Sequence, residues 1–246
     1  MKSFFKMLKI EWKLSVRDMN MVIFSIIMPI IIFVIIGILC DKMAFEGADY
    51  TFIDQSFGAL STIAICAGGF MGIPILVSDY RERKILKRFK ITPVSPSMIL
   101  FVNFAVYTIY SLISLILLWI VGKTFFGFQM RGSYIIFIVI WLFVLMSMFS
   151  IGLLVGSIAK DTKSASVIAS ILYFPMLIFS GATLPCEIMR DIMQTIVDIL
   201  PLTQGIKMLK SAALGLPLNN LSNNIFIMIM LISVCVGSSV KFFRWE

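Results

Sequence analysis

The sequence predicts an all-α integral membrane protein with six transmembrane helices, and three observations lead to this prediction. Of the 246 residues, 60% are hydrophobic and 14% are charged, whereas soluble domains are nearer half apolar and a quarter charged. Six apolar runs lack Asp, Glu, Lys and Arg, and each is about long enough for one membrane crossing. The basic residues between these runs are distributed unevenly, as in proteins that obey the positive-inside rule.

The runs place the predicted spans at about residues 19–40, 55–78, 97–121, 133–158, 164–181 and 221–240, within a single transmembrane domain of residues 1–246. Pro29 predicts a kink in the first span. Small residues let helix backbones approach closely. The glycines of the second and fourth spans therefore predict close helix contacts, at Gly68, Gly69, Gly72, Gly152 and Gly156.

Residues 1–18 are predicted to form an amphipathic helix in the membrane interface. Basic residues recur there every three or four positions and draw one stripe, which suits anionic head groups. A cleaved signal peptide is the alternative interpretation. The apolar run that follows is too long for one and lacks a small-residue cleavage site, which favours the interfacial helix. The stripe consists of Lys2, Lys6, Lys9, Lys13 and Arg17.

The distribution of basic residues predicts the orientation of the chain. With the N-terminus inside the cell, 15 of the 21 Lys and Arg residues lie in cytoplasmic segments and 6 lie in outer segments. Cytoplasmic loops carry an excess of Lys and Arg. Both termini are therefore predicted to be cytoplasmic, and the segment between spans two and three is a cytoplasmic loop.

That loop is the only long charged run between two long apolar segments. Six of the 21 basic residues lie within residues 78–96, and Ile85, Leu86 and Phe89 repeat at helical spacing. The pattern predicts a short amphipathic helix at residues 79–93 that Pro93 ends. Such a helix is typical of a contact with a partner protein. A loop that only fixes the topology is the alternative interpretation.

The segment between spans five and six, residues 185–214, is predicted to form short re-entrant or outer helices. Its charged residues forbid burial in hydrocarbon, while its apolar stripe forbids full solvation. Pro185 and Pro201 bracket the first of these helices. The segment is therefore expected at the outer interface or dipping into the outer leaflet.

The sequence also excludes several classes of function. The chain has no histidine, and its four cysteines form no CxxC pair, so we predict no catalytic residue, metal site or cofactor in it. The spans lack the ionisable residues that ion- and proton-coupled carriers use. Cys40 and Cys186 could both face outward and pair in a disulfide. The net charge of +8 fits the cytoplasmic face of a membrane protein and does not predict nucleic-acid binding.

Two stretches match the pattern of a known family, in order and in register with the spans. The first is Tyr80-Arg81-Glu82-Arg83-Lys84, continued by Leu86-Lys87-Arg88 and Thr92-Pro93-Val94-Ser95-Pro96. The second is Ser180-Gly181-Ala182-Thr183-Leu184-Pro185, followed by Ile199-Leu200-Pro201-Leu202-Thr203-Gln204-Gly205 and Lys207. Over nearly its whole length the chain resembles the permease subunit of bacterial type-2 ATP-binding-cassette (ABC) exporters of drugs and peptides. Where that family often reads Glu-Lys-Gly-Thr after Arg-Glu-Arg, Lys84 is followed here by Ile85.

The resemblance implies that residues 79–93 are a coupling helix that docks into a groove of a separate ATPase subunit. It implies two ATPase subunits, which hold the ATP and Mg, and a second permease chain that is identical or different. The implied ATPase contacts are Asp79, Arg81, Glu82, Arg83, Lys84, Leu86, Lys87, Arg88 and Phe89, and the implied outer gate is Gly181, Pro185, Pro201 and Gly205.

The expected function is ATP-driven export of a hydrophobic or amphipathic substrate across a bacterial plasma membrane. That substrate would be a drug-like compound or an antimicrobial or amphipathic peptide. An exporter of a lipid-linked or polysaccharide substrate remains an alternative. A membrane anchor or sensor that recruits a cytoplasmic partner, and a passive channel, are alternatives of other classes.

Overall fold

The computed structural model describes residues 2–40, 50–85, 96–180, 197–198, 200–216 and 221–242. These residues form helices joined by turns, which confirms the predicted all-α class. Six of the helices are long and apolar enough to cross a membrane, as predicted. Leu86, Lys87, Arg88 and Phe89 of the predicted coupling helix, Gly181 and Pro185 of the predicted gate, and Cys186 lie outside the described residues.

The helices follow one another in this order. Helix α1 is Lys2–Ser15, and α2 consists of Met19–Val22, a π-helical segment Ile23–Ile27, and Met28–Cys40. Helix α3 consists of Phe52–Cys66, a π-helical segment Ala67–Gly72, and Ile73–Glu82. The remaining helices are α4 (Pro96–Phe125), α5 (Tyr134–Ile158), α6 (Thr162–Phe179), α7 (Pro201–Leu214) and α8 (Leu221–Phe242).

Each π-helical segment ends two residues before a proline, Pro29 in α2 and Pro74 in α3. Proline lacks the backbone N–H and clashes with the carbonyl four residues earlier. A wider π turn moves that carbonyl away from the ring and keeps the helix continuous. The structure thus shows a π turn before Pro29, and the kink expected at this proline stays a prediction.

Helix α3 is the central helix of the bundle. Every residue from Ile53 to Phe70 is buried, and its neighbours approach it at glycines. A Cβ built on Gly152 of α5 would lie 1.8 Å from the carbonyl oxygen of Gly69. One built on Gly58 would lie 3.1 Å from the backbone of Leu209 in α7. The predicted close packing at Gly69 and Gly152 is confirmed.

One predicted boundary is corrected at the C-terminal end of α3. As names for the two ends of the bundle, we call this end the inner end and the end that holds the N-terminus of α3 the outer end. The sequence predicts that the second span ends at residue 78 and that a separate helix begins at Asp79, but α3 continues without interruption to Glu82. A charged side chain is kept out of hydrocarbon, but it does not end a helix. A helix can therefore continue beyond the apolar run that crosses the membrane. The 31 residues of α3 extend over roughly 46 Å, about 16 Å more than the hydrocarbon core.

Helix α7 lies inside the outer part of the bundle. Its apolar face, which includes Leu202 and Leu209, is buried against α3 and α5. Gly215 adopts a left-handed conformation (φ 69°) and ends the helix, as glycine commonly does. The backbone N–H groups of Arg131 and Gly132 donate to the carbonyl oxygen of Ala213 at 3.1 and 3.0 Å. The loop between α4 and α5 thus holds the C-terminal end of α7.

Candidate functional site

The inner end of α3 binds the C-terminal end of α5 through Arg81. Its guanidinium group donates to the carbonyl oxygens of Gly156 (2.7 Å), Ser157 (3.1 Å) and Ala159. Carbonyls in the last turn of a helix have no partner within the helix. A cation is also favoured there by the helix dipole. Arg81 therefore pairs with buried carbonyl groups at the end of α5 that the helix itself leaves without a partner.

The next residue, Glu82, binds the start of α6. Its Oε2 atom accepts hydrogen bonds from the backbone N–H of Thr162 (3.1 Å) and from the Thr162 hydroxyl (2.6 Å). An anion is favoured at a helix N-terminus. Asp161 caps the same terminus by accepting from the N–H of Ser164 at 2.7 Å, and this hydrogen bond holds the pKa of Asp161 below its ordinary value.

Arg81 and Glu82 together form a two-residue contact that we call the clasp. Two adjacent side chains of opposite charge bind the two helix termini of the α5–α6 turn, residues 159–161, and each charge matches the dipole of the terminus that it meets. The clasp joins three of the six spanning helices at their inner ends.

The residues that follow the clasp, Arg83 and Lys84, are exposed. Asp79 and Arg83 form a salt bridge of 2.7 Å, in which the Arg83 side chain is 70% exposed. Lys84 is exposed and has a positive φ of 54°, a conformation that suits glycine better than a residue with a Cβ. The α-helical hydrogen-bond pattern ends here. The N–H of Lys84 donates to the carbonyl oxygen of Arg81, three residues earlier, instead of four.

The predicted ATPase contacts that the structure describes differ in what they meet, and Asp79 among them pairs with Arg83. Arg81 and Glu82 bind the α5–α6 turn of the same chain, whereas Arg83 and Lys84 face outward. Sequence analysis did not single out Thr162 or the carbonyls of Gly156 and Ser157 as partners. The sequence did contain a signal for such partners, namely the polar turn between two spans. A turn of this kind presents the C-terminus of one helix and the N-terminus of the next. Only the tertiary fold shows which side chains meet them.

A second polar contact joins the inner end of α3 to α1 and α4. The Tyr80 hydroxyl donates to Glu11 Oε1 at 3.0 Å, and the side-chain amide of Asn103 donates to the Tyr80 oxygen at 3.5 Å. Burial raises the pKa of Glu11, although the hydrogen bond from Tyr80 opposes this. In α1, Trp12 packs against Tyr110 with ring centroids 4.9 Å apart. The helix predicted at the interface is therefore tied to the bundle.

The outer end of α3 is fixed to the loop between α4 and α5, residues 126–133, which we call the outer loop. Thr51 and Asp54 form a capping box at its N-terminus, a motif that satisfies two backbone donors. Asp54 Oδ1 also accepts from the backbone N–H of Gln129 at 3.3 Å. Phe57 stacks on Phe128, with 4.3 Å between the ring centroids. Helix α3 thus contacts the loop that holds α7.

Two predicted gate residues belong to α7. Pro201 is its first residue, where proline is favoured because its missing N–H would be unpaired anyway. Gly205 faces α5, since a Cβ on it would lie 2.9 Å from Cγ2 of Val144. Lys207 forms a 2.7 Å salt bridge with Asp198. The structure thus places Gly205 against α5, and Pro201 at the start of the same helix.

Comparison with known proteins identifies the family. The sequence profile described as ABC-2 type transporter matches residues 2–214, which include the clasp and α7. No curated protein matches the chain at a significant level. Within the described ranges, no group of three or more His, Cys, Asp or Glu side chains is placed to hold a metal ion. The chain belongs to the ABC-2 type transporter family and is a multi-pass membrane permease component of an ABC transporter, as distinct from its catalytic ATPase.

Proposed function

We propose that this permease exports a hydrophobic or amphipathic substrate, such as a drug-like compound or an amphipathic peptide, across a bacterial plasma membrane. A separate ATPase subunit, present in two copies with ATP and Mg, supplies the energy. Two permease chains form the pathway. The inner ends of the helices, including the clasp and both termini, face the cytoplasm, as the excess of Lys and Arg on that side supports.

The observation that carries this proposal is the continuity of α3. At its inner end, Arg81 and Glu82 bind the α5–α6 turn. At its outer end, Asp54 binds the outer loop, and Gly58 lies against α7. A displacement at the inner end can therefore reach the outer segment through one helix. A membrane anchor that only recruits a partner does not require such a connection.

The distribution of ionisable residues supports ATP as the energy source. Every Asp, Glu, Lys or Arg on the six spanning helices lies within four residues of a helix end. Examples are Asp54, Asp79, Lys123, Lys163 and Lys241. Carriers driven by ions or protons usually keep ionisable groups within the membrane. The middle parts of the spanning helices are apolar, and they suit an apolar or amphipathic substrate better than a strongly charged one.

The test is purification of the tagged chain together with the ATPase subunit expressed beside it, followed by measurement of ATP hydrolysis. We expect an ATPase with nucleotide-binding motifs to co-purify. We also expect its activity in proteoliposomes to rise with a lipophilic cation or a cationic amphipathic peptide. Stimulation by polysaccharide or a lipid-linked sugar alone would change the proposed substrate class, and the absence of any ATPase partner would overturn the proposal.

A further inference from the structure

Helices α2 and α3 each contain a π-helical segment, and these two segments are neighbours in the bundle. Ile23–Ile27 of α2 contacts Ala67–Gly72 of α3. Beside them, a Cβ built on Gly72 would lie 3.0 Å from Cε of Met21 in α2. Single π turns inside α-helices are rare and are frequently found at functional sites. Two such turns side by side therefore indicate a role beyond packing.

Proline alone does not account for these π turns. Helix α6 contains Pro175, yet it is α-helical throughout Thr162–Phe179. Pro175 is exposed, whereas Pro29 of α2 and Pro74 of α3 are buried in the bundle. The π turns are thus a property of α2 and α3, and not of every spanning helix that contains a proline.

The π turn of α3 leaves one backbone carbonyl without a helical partner. The N–H of Ile73 donates to the carbonyl oxygen of Gly68, five residues earlier. Pro74, the next residue, has no N–H. The carbonyl of Gly69 therefore receives no hydrogen bond from the residue four or five positions later. Helices bend most readily where their hydrogen-bond ladder is interrupted in this way.

The same arrangement occurs in α2. The N–H of Met28 donates to the carbonyl oxygen of Ile23, and Pro29 follows, so the carbonyl of Phe24 is left without these two donors. Ser25 is fully buried, and its hydroxyl has no hydrogen-bond partner within the described residues. In a membrane, Ser side chains can satisfy backbone groups that a bent helix frees. Ser25 therefore offers a donor to this segment when its bend changes.

Glycine adds to the flexibility of the segment in α3. Gly68 and Gly72 meet α4, where added Cβ atoms would lie 3.2 Å and 2.8 Å from Tyr107. Gly69 meets the backbone of α5. The backbone of glycine has more accessible conformations than that of any other residue. Three glycines among six residues therefore lower the resistance of α3 to bending at this level.

The outer halves of both helices are held by the same loop. In α2, Phe33 is fully buried and meets Phe126 of the outer loop, with 6.0 Å between the ring centroids. In α3, Phe57 stacks on Phe128 of that loop. We therefore expect the outer halves to keep their places when the inner halves move.

We propose that α2 and α3 bend together at Ile23–Ile27 and Ala67–Gly72, which we call the paired hinge. The inner halves of the two helices change their angle to the outer halves there. Because α3 stays helical through the hinge, a displacement at the clasp still reaches the outer half, as a change of angle. The bend is a property of the chain itself, and only its use in transport rests on the proposed function.

Pulsed EPR on the full chain in lipid nanodiscs tests the hinge without the ATPase. Spin-labelled amino acids replace two exposed residues at the inner ends of α2 and α8, Met19 and Val240, or two at their outer ends, Leu39 and Phe226. Dilution with unlabelled chain restricts the measurement to distances within one molecule. We expect a broader distance distribution for the inner pair than for the outer pair. Equal widths in the wild type would overturn the proposal.

Substitution of the two prolines should stiffen the hinge. P29A/P74A restores both missing N–H groups, so we expect the distribution of the inner pair to narrow to the width of the outer pair. Pro175→Ala is the matched control, because α6 has no π turn, and it should change neither distribution. An unchanged inner distribution in P29A/P74A would contradict the hinge.

A second variant serves in case P29A/P74A does not fold. Gly72→Ala places a Cβ 2.8 Å from the Tyr107 ring and should shift the mean distance of the inner pair while the outer distance stays the same. Equal shifts at both ends in Gly72→Ala would show that the helices move without bending, and so would an absence of any shift at the inner end.

The use of the hinge in transport is tested in the complex with the ATPase. We expect a non-hydrolysable ATP analogue with Mg to change the mean inner distance and to leave the outer distance unchanged. Equal changes at both ends would overturn the hinge and leave the proposed function standing. If no ATPase co-purifies, the proposed function fails, and the widths measured on the chain alone still decide whether the hinge exists.

Discussion

Gly69 of α3 and Gly152 of α5 bring two helix backbones into direct contact, with no room for a side chain between them. A Cβ on Gly152 would lie 1.8 Å from the carbonyl oxygen of Gly69. A Gly152→Ala substitution must therefore push the helices apart, at a cost of about 1–3 kcal/mol. We expect a lower midpoint of thermal unfolding in detergent. Gly237→Ala on α8 is the matched control, since its Cβ would meet no atom within 4 Å. Equal unfolding midpoints for both variants would contradict the packing described.

Charge reversal at Glu82 should weaken the contact between α3 and α6. A lysine there loses both hydrogen bonds to Thr162 and places a cation at a helix N-terminus, where it is disfavoured. We expect Glu82→Lys to insert normally but to show less transport for each ATP hydrolysed. Glu82→Gln keeps an acceptor oxygen and should lie between it and the wild type. Full coupling in Glu82→Lys, measured as the ratio of transport to hydrolysis, would count against the clasp.

Lys84 occupies a left-handed position (φ 54°) that glycine adopts more readily. We expect Lys84→Gly to be neutral or to stabilise the protein by up to about 1 kcal/mol through the relief of this strain. Thermal unfolding of the purified chain measures the effect. Arg83→Gly, at the neighbouring position with an ordinary negative φ of −78°, is the control and should not stabilise. A loss of stability in Lys84→Gly comparable to that of Arg83→Gly would contradict the prediction.

Glu11 predicts a specific pH dependence. Its folded-state pKa is raised above the ordinary value of 4.5, chiefly by burial, so the folded state binds the proton more tightly than the unfolded state. The wild type should therefore lose stability as pH rises through the folded-state pKa. Glu11→Gln does not titrate and keeps an acceptor for Tyr80. The difference in unfolding midpoint, variant minus wild type, should grow from pH 4 toward pH 7. Parallel curves for the two proteins would refute this.

The spans were predictable because their signal is local. Long charge-free runs and glycine spacing depend only on the sequence, as at Gly69 and Gly152. Helix ends were less predictable, because α3 continues through Asp79, the first charged residue after its apolar run, as far as Glu82. The clasp was not predictable. Nothing near Arg81 in the sequence indicates that the carbonyl of Gly156, 75 positions away, lies within 2.7 Å of its guanidinium group.

The central claim, ATP-driven export through this permease, is tested most directly by substrate uptake into inside-out vesicles that contain the permease and its ATPase. The account predicts uptake of a fluorescent lipophilic compound or labelled amphipathic peptide with ATP and Mg, and none without nucleotide. It also predicts that Leu86→Asp, in the expected coupling segment, loses this uptake while the chain still inserts. Uptake without nucleotide, or unchanged ATPase co-purification and uptake in Leu86→Asp, would contradict it.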